Sequence, residues 1–352
     1  MNIFSKLKLP GVKEKFSIGL DIGTQSIKCV KLKINNPTEL ISFDLEEGAL
    51  DPTEVLKKIK HSQDADLVNI SFSGSSTVIR YVNFLRMNKA ELRQALKFEA
   101  QKYIPFTLNE VNLDAEILKG DLPENKMPVL IAAIKKELIQ QRIRILENAS
   151  LRPNIIDIDS LALINSFNFN YPKVDVPENK SEDKGLATDN QSHKSVCLLN
   201  IGATISNVNI LDNGVPRLSR DIHVGGANFT KKLMDIFEID FKAAEELKIN
   251  PTPDKLDKIT AGVESVLLNL ATEIRTSFDY YESQNTSSVV KIFLSGGSSK
   301  AGGLKEKLSS ALGIPVETWD PFKQIKISDK IDIQKLNQFS GQFNIAVGLA
   351  LR

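Results

Sequence analysis

The sequence predicts an α/β protein made of two related halves. Three observations carry that expectation. Two segments of one design stand about one domain apart: GLDIGTQSIKCVKL from Gly19 and LLNIGATISNVNIL from Leu198. Each is an apolar strand, Asp or Asn followed by Ile-Gly, a small polar turn and a second apolar strand. Repetition of a whole unit indicates duplication. Between them, residues 172–194 are polar and turn-rich, with no sustained apolar period, as expected of a flexible linker. Finally, VVKIFLSGGSSKAGGL runs from a strand into a glycine-rich turn and a helix, where backbone N–H groups can approach an anion or a ring.

The elements follow in order. FSIGLDI and SIKCVKLKI are strands around a glycine turn, and Val30, Leu32 and Ile34 alternate with Lys31 and Lys33, the period of a half-buried strand. DPTEVLKKIK starts a helix with acidic residues early and lysines late, which suits the helix dipole. DLVNISFSG and TVIRYVNFL are strands. NKAELRQALKFEAQKYIPF is a helix with Asn88 as N-cap and Glu91 completing a capping box. Its apolar stripe is Leu92, Ala95, Leu96, Ala100 and Tyr103, and Phe98 lies off that stripe. EVNLDAEIL and MPVLIAAI are strands, and KKELIQQRIRILENAS is a helix. Beyond the linker, Asn213-Gly214 marks a hairpin after the second glycine turn. FKAAEELKI is a helix. A long helix follows, with Val263, Val266, Leu267, Leu270, Ile274 and Phe278 as its stripe. FSGQFNIAVGLALR is a closing helix with small residues suited to tight packing.

Composition excludes several classes. The 352 residues carry 45 Lys+Arg against 44 Asp+Glu, a net charge of +1, so there is no global field for nucleic acid or an anionic membrane. Cys29 and Cys197 sit in apolar runs and read as reduced core thiols. His61, His193 and His223 are too scattered for a metal cluster. No stretch approaches the ~20 apolar residues of a membrane span. The start, MNIFSKLKLPGVKEK, lacks the apolar core of a signal peptide and reads as a solvated tail with one short apolar cluster.

The segments DIGTQSIK, NIGATISN, AAEELK and LSGGSSKAGGL, in that order, resemble the phosphate-1, phosphate-2, ribose and adenosine segments of the actin/Hsp70/sugar-kinase superfamily. ALKFEAQKYIPFTLNEVNLDAEIL, EIRTSFDYYESQ and LSGGSSKAGGLKEKLSSALGIPVETWDPF resemble, within it, the PilM family of type IV pilus assembly proteins. The resemblance implies an actin-like ATPase fold of two ribonuclease-H-like halves with ATP and Mg²⁺ between them. It implies a first half at 15–76 and 151–171, an inserted small α+β subdomain at 77–150, and a second half at 195–230 and 288–352 with a helical part at 231–287. Asp21, Gly23, Thr24, Gln25, Ser26 and Lys28 would line the first phosphate turn, with Asp21 reaching the metal through water. Gly202, Ala203 and Thr204 would line the second, with Gly225 and Gly226 approaching from the large half. Glu245 and Lys248 would face ribose and base, and Gly296, Gly297 and Ser298 would pass beneath the adenosine. Asn200 stands where the related pattern has an aspartate and supplies no charge to a metal, so hydrolysis is expected to be slow or absent.

The implied function is a cytoplasmic scaffold at the inner membrane. It would recruit the N-terminal tail of a bitopic, PilN-like partner and could self-associate. Phe98 is the candidate partner contact. The rivals are a division scaffold like FtsA, a small-metabolite kinase and an Hsp70-type chaperone. The first is expected to end in a linker and amphipathic helix, whereas this sequence ends at GLALR. The second needs a carboxylate base in the cleft, for which the segments between the turns offer no candidate. The third needs a further peptide-binding domain.

Overall fold

The computed structural model describes residues 15–48, 51–120, 122–172 and 194–352. The amino-terminal apolar cluster, His193 and nearly all of the linker stretch lie outside these residues.

In chain order the first half holds β1 (Phe16–Ile22), β2 (Ser26–Lys33), β3 (Glu39–Glu47), α1 (Pro52–Gln63) and β4 (Leu67–Phe72). Then come β5 (Thr77–Leu85), α2 (Lys89–Glu99), β6 (Val111–Ile117), β7 (Lys126–Lys135), α3 (Lys136–Asn148), β8 (Arg152–Ile158) and α4 (Asp159–Asn170). The second half holds β9 (Lys194–Ile201), β10 (Ser206–Asp212), β11 (Val215–Ile222), α5 (Gly226–Phe237), α6 (Phe241–Ile249) and α7 (Leu256–Gln284). The chain continues through β12 (Ser288–Ser295), α8 (Leu304–Leu312), β13 (Val316–Thr318), β14 (Lys326–Ile327), which returns to the first sheet beside β3, α9 (Ile333–Phe339) and α10 (Asn344–Ala350).

Local chemistry explains the helix starts. Asp51 accepts from Thr53 N at 2.9 Å. Asn88 accepts from Ala90 N and Glu91 N, while Glu91 returns a bond to Asn88 N at 2.8 Å, the capping box the sequence predicts. At the second hairpin, Asn213 and Gly214 both take positive φ (50° and 77°), as a two-residue turn requires.

Among the described residues three sheets form, in the orders β14-β3-β2-β1-β4-β8, β11-β10-β9-β12-β13 and β5-β7-β6. The first two repeat one plan, in which an antiparallel three-strand meander carries a parallel strand beside its first member. The inserted sheet puts Val129, Ile131 and Ala133 against Leu92 and Leu96 of α2. Its other face gives Leu130 and Ile134 to the core of the first half. Alternation along β7 therefore fills two cores from one strand. Helix α3 follows the inserted strands in sequence, yet Ile139 and Leu146 bury with Val55, Leu56 and Ile59 of α1 in that first-half core.

The halves also exchange helices. Phe167 and Leu163 of α4 pack with Leu198 and Phe293 of the second sheet and with Trp319, just beyond β13. Ala346, Val347 and Ala350 of α10 pack with Val30 and Leu32 of the first. The crossing is close enough to demand glycine: a Cβ at Gly19 would overlap the Ala346 carbonyl, and one at Gly348 the Ala162 carbonyl. The glycine-turn ends of both sheets are thereby held against one cleft.

Candidate functional site

Both glycine turns close in the same way. Gly23 N donates to Ser26 O at 3.0 Å and Gly202 N donates to Ile205 O at 2.9 Å. A Cβ at either glycine would press on that same carbonyl, at 3.0 and 2.8 Å. The two tips meet, with Thr24 Oγ1 and Thr204 Oγ1 3.4 Å apart. Beneath them lies a cavity of about 1040 Å³, lined by elements of both halves.

Strand register makes the repeat informative. Asp21 pairs with Lys28 across the first hairpin, and Asn200 pairs with Asn207 across the second. The first pair is ionic, Lys28 Nζ to Asp21 Oδ2 at 3.2 Å. The second is a neutral amide bond, Asn200 Nδ2 to Asn207 Oδ1 at 3.0 Å. Asn200 also accepts from Ser295 Oγ at 3.3 Å. Asn207 passes the chain on to Asp221 Oδ1 at 2.8 Å. The other Asp221 oxygen accepts from Gly74 N of the first half at 2.7 Å. Tyr81 and Ser219 hydroxyls add a bond at 2.8 Å between β5 and β11.

The remaining sequence-predicted residues divide by role. Gly296 takes φ +93°, and a Cβ there would overlap Ile201, so only glycine lets this loop lie against β9. Ser298 donates to Gly202 O at 3.1 Å and ties the loop to the second turn. Lys248 is buried and donates to Glu245 at 2.6 Å and Thr230 at 2.9 Å, which leaves Glu245 as the more open of the two. Asp21, Gly23, Thr24, Gln25, Ser26, Lys28, Asn200, Gly202, Ala203, Thr204, Gly226, Glu245, Lys248, Gly296, Gly297 and Ser298 all line the cavity. Gly225 is not among its lining; a Cβ there would strike the Ala203 and Thr204 backbone, so it backs the second turn.

Sequence reasoning missed Asp159, Arg142 and the Asp221 chain. Asp159 stands at the start of α4 and lines the cavity. Burial, and then the neighbouring Asp21 carboxylate, push its pKa up to about 6, against the pull of the Ser71 and Ser73 hydroxyls. The sequence shows an Asp before an apolar helix, an ordinary helix start. Only the fold puts that start on the cleft floor. Among the described residues, no group of three or more His, Cys, Asp and Glu is arranged to hold a metal ion directly. The donor set suits Mg²⁺ carried on a polyphosphate with its waters retained, since Asp21 is already paired and Asn200 is neutral.

A second cavity of about 560 Å³ opens between the inserted sheet and the first half. Strand β6, with Asn112, Asp114 and Glu116 in register with Ile134, Ala132 and Leu130 of β7, forms one wall and Ile155 and Ile156 of β8 the other. Both are edge strands of their sheets. Arg352 Nε donates to Asp157 Oδ2 at 2.6 Å along it. Burial pushes the Asp157 carboxyl up, and Arg352 opposes it. Phe98 is 79% exposed on α2, across the inserted sheet from this groove, and does not line it.

Duplicated meanders, exchanged helices and a glycine-lined cleft define an actin-like ATPase fold. The chain belongs to the type IV pilus assembly protein PilM family, whose profile matches residues 19–352. Among solved structures it is similar to the "PilM-PilN type IV pilus biogenesis complex", with 24% identity, a TM-score of 0.79, and 96% of this chain and 98% of that chain covered. It is also similar to the ethanolamine utilization protein EutJ from Carboxydothermus hydrogenoformans (12% identity, TM-score 0.54, covering 97% and 90%). A chaperone protein dnaK from Cyanophora paradoxa is 27% identical over 93 residues, 25% of this chain and 15% of that protein. Among the described residues no helix is long and apolar enough to cross a membrane.

Proposed function

We propose that this protein is an ATP-responsive scaffold of a type IV pilus assembly platform, with slow hydrolysis at most. The observation that carries the reading is the pair of equivalent glycine turns meeting tip to tip over a cleft between two halves. The nucleoside lies between Glu245 and the Gly296–Ser298 loop, and the phosphates run to both turns. Asp21 would hold Mg²⁺ through water, and the metal would supply charge neutralisation to the phosphates. In that slow hydrolysis Asp159 would take the proton of the attacking water as the water's oxygen bonds to the terminal phosphorus and the nucleoside diphosphate leaves, and the neutral Asn200–Asn207 pair withholds the second anionic contact.

The groove between β6 and β8 takes the N-terminal cytoplasmic tail of a bitopic, PilN-like membrane protein. Its two edge strands offer unpaired backbone groups to an extended peptide, and its floor is apolar. The structure titled as a PilM–PilN complex supports a partner of this kind. The protein then works in the cytoplasm, held at the inner membrane through that partner, with Phe98 as a separate contact for the partner or for a second copy. Membership of the PilM family favours this reading over a division scaffold or a metabolite kinase.

The test is calorimetry with Mg²⁺–ATP on the wild type and on Gly297→Asp. A Cβ at Gly297 finds its nearest neighbour, the Gln342 side chain, at 3.6 Å, so the variant folds while its charged side chain fills the space the nucleoside would take against this loop. Abolished binding is expected. Unchanged affinity would remove the cleft from the argument.

A further inference from the structure

Four cationic side chains line the cleft: Lys28, Arg142, Lys242 and Lys248. Their commitments differ. Lys28 is paired with Asp21 at 3.2 Å. Lys248 is spent on Glu245 and Thr230. Lys242 is exposed on α6 and keeps its hydration. Arg142, on α3, is partly buried and has one hydrogen bond, Nη1 to Ile22 O at a long 3.4 Å. Its guanidinium lies 5.4 Å from the centre of the Phe72 ring. Among the described residues it makes no ion pair, although Asp159 and Asp21 act on it through space.

A guanidinium has five N–H donors in a rigid fork. Holding it out of water with one weak bond is costly, and burial pulls its pKa down. Such a group is a vacancy for an anion with paired oxygens. Its place in the fold says which anion. The bond to Ile22 O sets it directly behind Gly23 of the first turn. Phe72 and Asp159, which flank it, belong to the first-half floor of the cleft. A nucleoside held by the second half, at α6 and the Gly296 loop, reaches this floor only with the far end of its phosphate chain.

We propose that Arg142 binds the terminal phosphate of a nucleoside triphosphate and gives the cleft its preference for tri- over diphosphate. This rests on the nucleotide reading above. The fork exchanges its long bond to Ile22 O for paired bonds to the γ-phosphate oxygens, and the ring of Phe72 keeps the guanidinium plane in place. Asp159 and Asp21 would repel an incoming phosphate, and Arg142, which both act on through space, offsets that repulsion.

The experiment measures Mg²⁺–ATP, Mg²⁺–ADP and tripolyphosphate binding to the full chain, wild type, Arg142→Gln and Arg142→Lys, with thermal melting of each. Arg142→Gln is expected to lose about ten- to hundredfold in ATP affinity, the worth of a charge-assisted bond pair, and about threefold or less for ADP. Arg142→Lys keeps the charge without the fork and should fall between. Equal losses for ATP and ADP, or no loss for ATP, would overturn the assignment. If wild type binds tripolyphosphate through Arg142 but gains nothing from the nucleoside, the nucleotide reading fails and the anion site stands. If neither ATP nor tripolyphosphate binds, both are refuted.

Discussion

Replacing Asn200 by aspartate probes the one place where the two turns differ in charge. The hydrogen-bond chain around it has a direction. Ser295 donates to Asn200, Asn200 to Asn207, and Asn207 to Asp221, whose second oxygen accepts from Gly74 N. A carboxylate at position 200 has only acceptors, so it would meet the Asn207 carbonyl oxygen. Turning Asn207 over would only move the oxygen-to-oxygen clash to Asp221. Asn200 and Asn207 are 7% and 3% exposed, so water cannot repair the defect. An unsatisfied buried acceptor costs about 1–3 kcal/mol, and at about 2–4 °C per kcal/mol the ligand-free variant should melt roughly 2–12 °C lower. The sign with pH is fixed. Burial and the nearby Asp221 raise the folded pKa of the new carboxyl, so the deficit is full above that pKa. It shrinks as pH falls through it, because the protonated acid donates again. Hydrolysis moves the other way. A restored anionic contact worth about 1.5–3 kcal/mol in the transition state raises the single-turnover rate by about one to two orders of magnitude. Thermal melting across pH and single-turnover hydrolysis of Asn200→Asp check both halves. A variant as stable as wild type at pH 8 would refute the directional chain. A wild-type rate equal to the variant's would mean another group carries the magnesium.

Three further outcomes are expected. Asp159 titrates near 3.8 when unfolded and about 6 when folded, so the folded state binds more protons between these values and stability falls as pH rises from about 4 to about 6; Asp159→Asn should gain on the order of 2 kcal/mol at pH 8 and little at pH 4, and denaturant melts showing an equal gain at both would refute the shift. Ile155→Asp places a charge in the groove at a partly exposed edge position, so binding of a PilN-like N-terminal peptide should weaken at least about tenfold with a small thermal loss; titration with unchanged peptide affinity would move the partner elsewhere. Phe98→Ala removes a side chain that is 79% exposed, so it should weaken partner capture or self-association while melting within about 2 °C of wild type; a large thermal loss with unaltered binding would show a packing role.

Much was legible in the residues alone. Alternation and capping placed the strands and helices, because those signals are local: Asn88 and Glu91 are three residues apart, and Asn213-Gly214 are neighbours. The repeat DIGTQSIK/NIGATISN showed the duplication, and at the glycines it named, Gly23 and Gly202, a Cβ would press on the carbonyl that closes each turn. What tertiary structure decided is everything that depends on which faces meet. Arg142 and Asp159 are unremarkable within a helix and at a helix start, and become a cation and a proton acceptor in one cleft only because α3 and α4 pack on the same floor. Asn200 reads in sequence as a missing charge; in the fold it is also a link in a chain that ends on Gly74 in the other half. The groove needs β6 and β8 to be edges of two different sheets, and strand order is set by pairing between residues far apart in the chain. Periodicity fixes which side of a strand is buried, but not what covers it. Here that covering was decided by a helix exchanged between halves and by one inserted strand feeding two cores.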